Sequence, residues 1–72
     1  MEDVILAGDV DVGDVIVLPA ADESVLVTRV RYGHGGLIFT VTPADGEFGE
    51  EERHVTVTTE VRVRKRGRDL AR

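Results

Sequence analysis

Three aspartates stand close together near the amino terminus, at Asp9, Asp11 and Asp14 of the stretch "DVDVGDVIVLP". Carboxylates at alternate positions can supply the oxygen ligands that a calcium ion takes. A calcium loop of the EF-hand type also needs Asp or Asn at its fifth position and a bidentate glutamate at its twelfth, and Gly13 and Ala20 stand there instead. We therefore interpret Asp9 and Asp11 as the solvent-facing side of a strand and Asp14 as a turn residue.

Few other side chains could do chemistry. The chain has two histidines, His34 and His54, one serine, Ser24, and no cysteine. The histidines lack a short chelating spacing, and no Gly-x-Ser-x-Gly motif surrounds the serine. The glycines of "GHGG" lack the lysine and following helix of a phosphate loop. We therefore expect no metal, no cofactor and no enzymatic activity.

Charge is unevenly distributed along the chain, which has a net charge of −5. Residues 62 to 72 hold six basic residues and one acidic residue, a local charge of +5, whereas the first 61 residues hold three basic and thirteen acidic residues, a charge of −10. A basic segment of this kind can contact a polyanion. The candidate contacts are Arg62, Arg64, Lys65, Arg66 and Arg68.

The 72 residues are enough for one small domain and too few for two. No stretch reaches the roughly 18 apolar residues of a membrane span, and the start, "MEDVILAGD", lacks the cationic and apolar regions of a signal peptide. The absence of cysteine favours a reducing compartment. These features predict a soluble, cytoplasmic protein without a membrane partner.

Valine and threonine recur with a period of two, which is typical of half-buried strands. This pattern predicts an all-β domain with five principal strands and a sixth near residues 3 to 7. The five segments are 15 to 18, 24 to 32, 37 to 42, 54 to 58 and 61 to 64. The domain is predicted to span residues 1 to 64, with the last strand at or near a sheet edge and a frayed basic tail from 65 to 72.

The alternation within the strands also predicts which side chains face the core. In the second segment it places Leu26, Val30 and Tyr32 on the buried side and Arg29 and Arg31 on the opposite side. The next segment places Leu37, Phe39 and Val41 together, and the last places Val61 and Val63 together. The glycines of "GHGG" suit a hairpin turn between the second and third segments.

Short strands that each have one apolar face can remove most of their free edges by curling into a small barrel. The stretch "VGDVIVL" resembles the entry to the first strand of SH3-like barrels of the KOW and Tudor kind. "HVTVTTEVRVR" is similar to their ending, in which a tight 3₁₀ turn joins the last two strands. The resemblance implies a five-stranded SH3-like barrel, and an OB-fold remains the alternative.

Without a catalytic constellation, the sequence favours a small binding or scaffolding module whose partner is another protein. Strand addition or packing of a sheet face would provide the contact. The candidate contact residues are Phe48, Ile16 and Leu18. The alternative is accessory, weak nucleic-acid binding through the basic carboxyl-terminal segment. A monomer is favoured over a homodimer, because exposed ion pairs contribute only about 0 to 1 kcal/mol each.

Overall fold

Six strands make up nearly all the regular structure. The computed structural model describes residues 3–19, 22–46 and 51–67. The strands are β1 (Asp3–Leu6), β2 (Val15–Leu18), β3 (Glu23–Gly33), β4 (Gly36–Pro43), β5 (Arg53–Val57) and β6 (Glu60–Lys65), and a single 3₁₀ turn (Ala7–Asp9) follows β1. The all-β prediction is confirmed, and so is the sixth strand near residues 3 to 7.

The strands form one antiparallel sheet in the order β1-β6-β2-β3-β4-β5. Among the described residues β1 and β5 end the sheet and do not pair with each other, so the sheet is not closed into a barrel. The last strand, β6, lies near an edge of the sheet, as predicted, but not at the edge itself. β1 pairs along its full length with β6 and takes the edge position itself.

The core cluster lies on one face of the sheet. Its largest members, Phe39 and Ile16, have no exposed surface. The other buried members are Ala7, Val10, Val25, Val27, Val41, Val61 and Val63. The predicted inward positions of β4 and β6 are therefore confirmed. Burying an apolar side chain of this size contributes about 1.5–3 kcal/mol, so these residues are the main source of stability.

A bulge in β3 changes which residues face the core. Val25 and Val27 are fully buried, and not Leu26 as the alternation predicted. The register of β3 against β4 then shifts between Val27 and Arg29, and the hydroxyl of Thr28 donates a hydrogen bond of 3.1 Å to the carbonyl of Thr40. An extra residue in one strand reverses the alternation after it. The predicted assignment of alternate residues to the core face is therefore wrong for the part of β3 before the bulge and right for the part after it.

Tyr32 keeps the predicted parity but not the predicted burial. It lies directly opposite Leu37, on the same side of the hairpin as Val30, and yet 92% of its surface is exposed. β2 covers only the first part of β3, from Glu23 to Leu26. The end of β3 therefore has no β2 residue beside it, and Tyr32 remains on the surface although Leu37 opposite it packs against the core.

The hairpin between β3 and β4 depends on one glycine. Gly33 pairs with Gly36 across a two-residue turn, and Gly36 has a φ of +141°, which side-chain-bearing residues rarely adopt. A Cβ at this position would lie 2.6 Å from the carbonyl oxygen of Val57 on the neighbouring β5. Gly36 therefore permits both the turn and the close approach of β5.

Gly36→Ala is expected to lower the free energy of unfolding by about 1–3 kcal/mol, because it adds backbone strain and a steric clash. Gly35→Ala is the matched control, since nothing lies within 4 Å of a Cβ at that position. It should change stability by less than about 0.5 kcal/mol. Urea denaturation of both variants measures the difference, and equal midpoints would contradict this account of the turn.

Candidate interaction surface

The side chain of Asp14, which the sequence placed in a turn, is buried. The Asp14 side chain is only 1% exposed, and its two oxygens accept the backbone N–H groups of Asp11 at 2.9 Å and Gly67 at 2.6 Å. The Arg66 Nε lies 3.2 Å from Oδ2 of Asp14 without hydrogen-bond alignment, so that contact is ionic. We call these contacts the Asp14 anchor. Asp14 does end a turn, because its N–H donates to the carbonyl of Asp11 at 3.1 Å, but its side chain is an internal ligand of the protein and not a surface group.

Arg66 also binds the connection between β1 and β2. Its Nη2 donates to the carbonyl of Asp9 at 2.9 Å and lies 3.4 Å from a carboxylate oxygen of Asp11. A Cβ on Gly67 would lie 2.7 Å from the carbonyl carbon of Gly13, so the two backbones meet in close contact. The predicted fraying beyond Lys65 is therefore wrong for Arg66 and Gly67, and residues 68–72 lie outside the described part of the chain.

The other residues predicted to contact a polyanion are also largely engaged within the molecule. Arg62 forms an ion pair with Asp22 at 2.9 Å, and Arg64 donates to the hydroxyl of Ser24 at 2.9 Å. Lys65 ends β6 and is exposed, and Arg68 lies outside the described residues. The structure thus brings Arg62 and Arg64 to one strand and turns Arg66 toward the Asp14 anchor.

The three predicted protein contacts do not form one surface. Ile16 is fully buried because it faces the core from β2, so its side chain is removed from the candidate contact surface. Leu18 is half-buried and packs against the core while also lining a groove. Phe48 lies outside the described residues.

The exposed apolar surface lies instead at the end strand β1. Val4 and Leu6 are 59% and 61% exposed, whereas Ile5 between them packs against the core. Because alternate residues of a strand point to opposite faces, Val4 and Leu6 lie together on the outer face. The outer edge of β1 has no strand beside it among the residues that the structure describes. We call Val4, Leu6 and the free edge of β1 the β1 edge.

Two grooves adjoin the β1 edge, and both are lined by the corner from Val57 to Glu60 that joins β5 to β6. The larger, of about 640 Å³, includes Leu6 together with the exposed Tyr32 and the half-buried Leu37. The smaller, of about 530 Å³, includes Val4. An apolar residue bound at the β1 edge would therefore find a partly enclosed neighbouring space.

The sequence predicts a strand near residues 3 to 7 but does not predict this exposed surface. The signal was present, because "VIL" places apolar residues at consecutive positions of a strand and only one face of an end strand can reach the core. What the sequence could not show was that β1 would be the outermost strand.

The described residues contain no group of three or more His, Asp or Glu side chains placed to hold a metal ion. No helix among them has the length and apolar character needed to cross a bilayer. Comparison of the chain with protein-family models, with curated proteins and with solved structures found no match.

Proposed function

We propose that this chain is a small, non-enzymatic binding module that receives an extended segment of another protein along the β1 edge. The observation that carries the proposal is the pair of exposed apolar side chains, Val4 and Leu6, on a strand that ends the sheet. Natural proteins usually guard such edges with charges, with proline or by keeping the edge strand very short, and β1 has four residues. β1 carries a single charged residue, Asp3, and no proline.

β1 suits strand addition better than the opposite end strand. β5 begins with Arg53 and His54, and Arg53 is held in an ion pair with Glu23 at 2.7 Å. In strand addition the main-chain hydrogen bonds supply affinity, and pockets for alternate side chains supply specificity. Val4 and Leu6 provide alternate apolar contacts of this kind, whereas the exposed positions of β5 are polar.

The larger groove adds an anchor point to the β1 edge. Exposed tyrosine is enriched among the residues that dominate binding energy at interfaces, and Tyr32 borders the groove beside Leu6. The partner is therefore an extended segment with apolar residues at alternate positions and one larger apolar side chain for the groove. The proposal includes a monomeric chain, because a second copy paired along the β1 edge would occupy the position of the partner.

The strand order supports the SH3-like interpretation within this proposal. Strands β6, β2, β3, β4 and β5 are neighbours in that order, and a short corner at Thr58 and Thr59 joins β5 to β6. The short corner matches the close connection between the last two strands that the resemblance to KOW and Tudor barrels implies, although it is a bend and not the expected 3₁₀ turn, and β1 is an added strand. The absence of cysteine supports the cytoplasm as the location.

Val4→Lys and Leu6→Lys test the proposal, because lysine on an edge strand opposes strand addition. We expect each variant, used as bait in extracts of the source cell, to lose about tenfold or more of a specifically bound protein, equivalent to about 1.4 kcal/mol of binding energy. Thermal unfolding should confirm that both variants stay folded.

Val12→Lys is the matched control, since Val12 is 57% exposed and lies outside the strands. It should retain the bound protein at both low and high salt. Binding at the β1 edge would be contradicted if the unsubstituted chain and all three variants captured the same amount of the bound protein. It would also be contradicted if Val12→Lys lost as much bound protein as Val4→Lys and Leu6→Lys.

A further inference from the structure

The outer face of strands β3, β4 and β5 carries two arginines that have no ion-pair partner within residues 3–19, 22–46 and 51–67. The pairing registers place Arg29, Thr40 and His54 side by side in one row, and Arg31, Ile38 and Thr56 in the next. We call these six residues the basic face. Arg29, Arg31 and His54 are exposed, and neither arginine contacts a carboxylate among the described residues.

The bulge at Thr28 creates this face. Val25 and Val27 point into the core, and uninterrupted alternation would have pointed Arg29 and Arg31 inward as well. The extra residue reverses the alternation, so both arginines turn outward. Bulges are over-represented next to functional sites, where they change the direction of a side chain. The bulge at Thr28 has this effect on Arg29 and Arg31.

We propose that the basic face binds the phosphate backbone of duplex nucleic acid, weakly and without sequence preference. None of its six residues is a carboxylate, although the whole chain has a net charge of −5. Arginine and histidine side chains and the hydroxyl of the exposed Thr56 can donate hydrogen bonds to phosphate oxygens, whereas Thr40 is only 7% exposed and serves as part of the sheet beneath them. This assignment moves the polyanion contact away from Arg62, Arg64 and Arg66, which have partners inside the molecule.

The composition of the face favours a nucleic acid over a protein. Protein interfaces also use arginine, but they are built around a central cluster of apolar or aromatic anchors. The basic face has one apolar residue, Ile38, which is half-buried. It has no aromatic residue on which an unpaired base could stack, so a duplex backbone fits better than a single strand.

Titration of the full chain with a short duplex, followed by amide chemical shifts, tests the proposal. With two arginines on the phosphates, log K should fall against log salt with a slope of about −2, from a dissociation constant of about 10⁻⁴ M at low salt. The shifts should concentrate on the two rows of the basic face. A flat salt dependence, or shifts confined to β6, would overturn the assignment.

Arg29→Gln/Arg31→Gln should abolish the binding, and Arg62→Gln/Arg64→Gln is the control that should preserve it. Arg29→Gln alone or Arg31→Gln alone should reduce the magnitude of the salt slope by about one. Unchanged binding by the first double variant would overturn the proposal. The proposal would also be overturned if a single strand, or a polyglutamate peptide of matched charge, bound as tightly as the duplex or more tightly. The absence of any duplex binding at low salt would overturn it as well.

Discussion

Replacing Asp14 by alanine is expected to lower the free energy of unfolding by about 3–5 kcal/mol, the cost of removing one partner of a buried ion pair. The substitution takes the acceptors away from the backbone N–H groups of Asp11 and Gly67. It also leaves Arg66, whose side chain is only 15% exposed, without its buried counter-charge. A domain of this size has only several kcal/mol of stability to lose.

Asp11→Ala is the control for this substitution. Asp11 also approaches Arg66, at 3.4 Å, but its side chain is 70% exposed, so its loss should cost less than about 1 kcal/mol. Asp14→Asn should fall between the two alanine variants, because the amide keeps the shape and one acceptor oxygen but loses the charge. Urea denaturation gives the three values. Equal midpoints for the two alanine variants would contradict the buried anchor.

Ending the chain at Lys65 is expected to destabilise the domain about as much as Asp14→Ala. The truncation removes both Arg66 and the Gly67 N–H, and so leaves the Asp14 carboxylate buried with one remaining hydrogen-bond donor. An uncompensated buried charge is costly, which sets an expected loss of about 3–5 kcal/mol. The measurement is the midpoint of urea denaturation.

The control is a chain that ends at Arg68, which keeps the whole anchor and places the new terminal carboxylate beyond Gly67. Its stability should stay within about 0.5 kcal/mol of the full chain. Because the truncation and Asp14→Ala remove the same contacts, their combination should cost little more than either alone. Full additivity of the two losses would show that residues 66 and 67 do not act through Asp14.

The period-two pattern of the sequence predicted where the strands lie better than it predicted which strands lie next to one another in the sheet. Period-two runs gave the strands and the inward positions of β4 and β6, because alternation follows directly from strand geometry. Burial of Phe39, Val61 and Val63 followed from it. The same pattern failed at Thr28, since no residue type marks a bulge of this kind, and every orientation before it was assigned to the wrong face.

Long-range contacts explain what the sequence could not show. Asp14 looked like a turn residue because its local context, "VGD", is typical of a turn, and its buried partners lie 52 and 53 positions further along the chain. The outer position of β1 likewise depends on its pairing with β6 at the other end of the sequence. The candidate site was missed for that reason, although Val4 and Leu6 were already assigned to a strand.

Cross-linking in the source cell is the most direct test of the β1 edge as the partner's binding site. A photoreactive phenylalanine analogue at Leu6 should give a discrete adduct with one protein, because the Leu6 side chain is exposed beside the groove that Tyr32 borders. The same analogue at Val12, which is similarly exposed, should give none. A specific adduct at Val12 with none at Leu6 would contradict the proposed function.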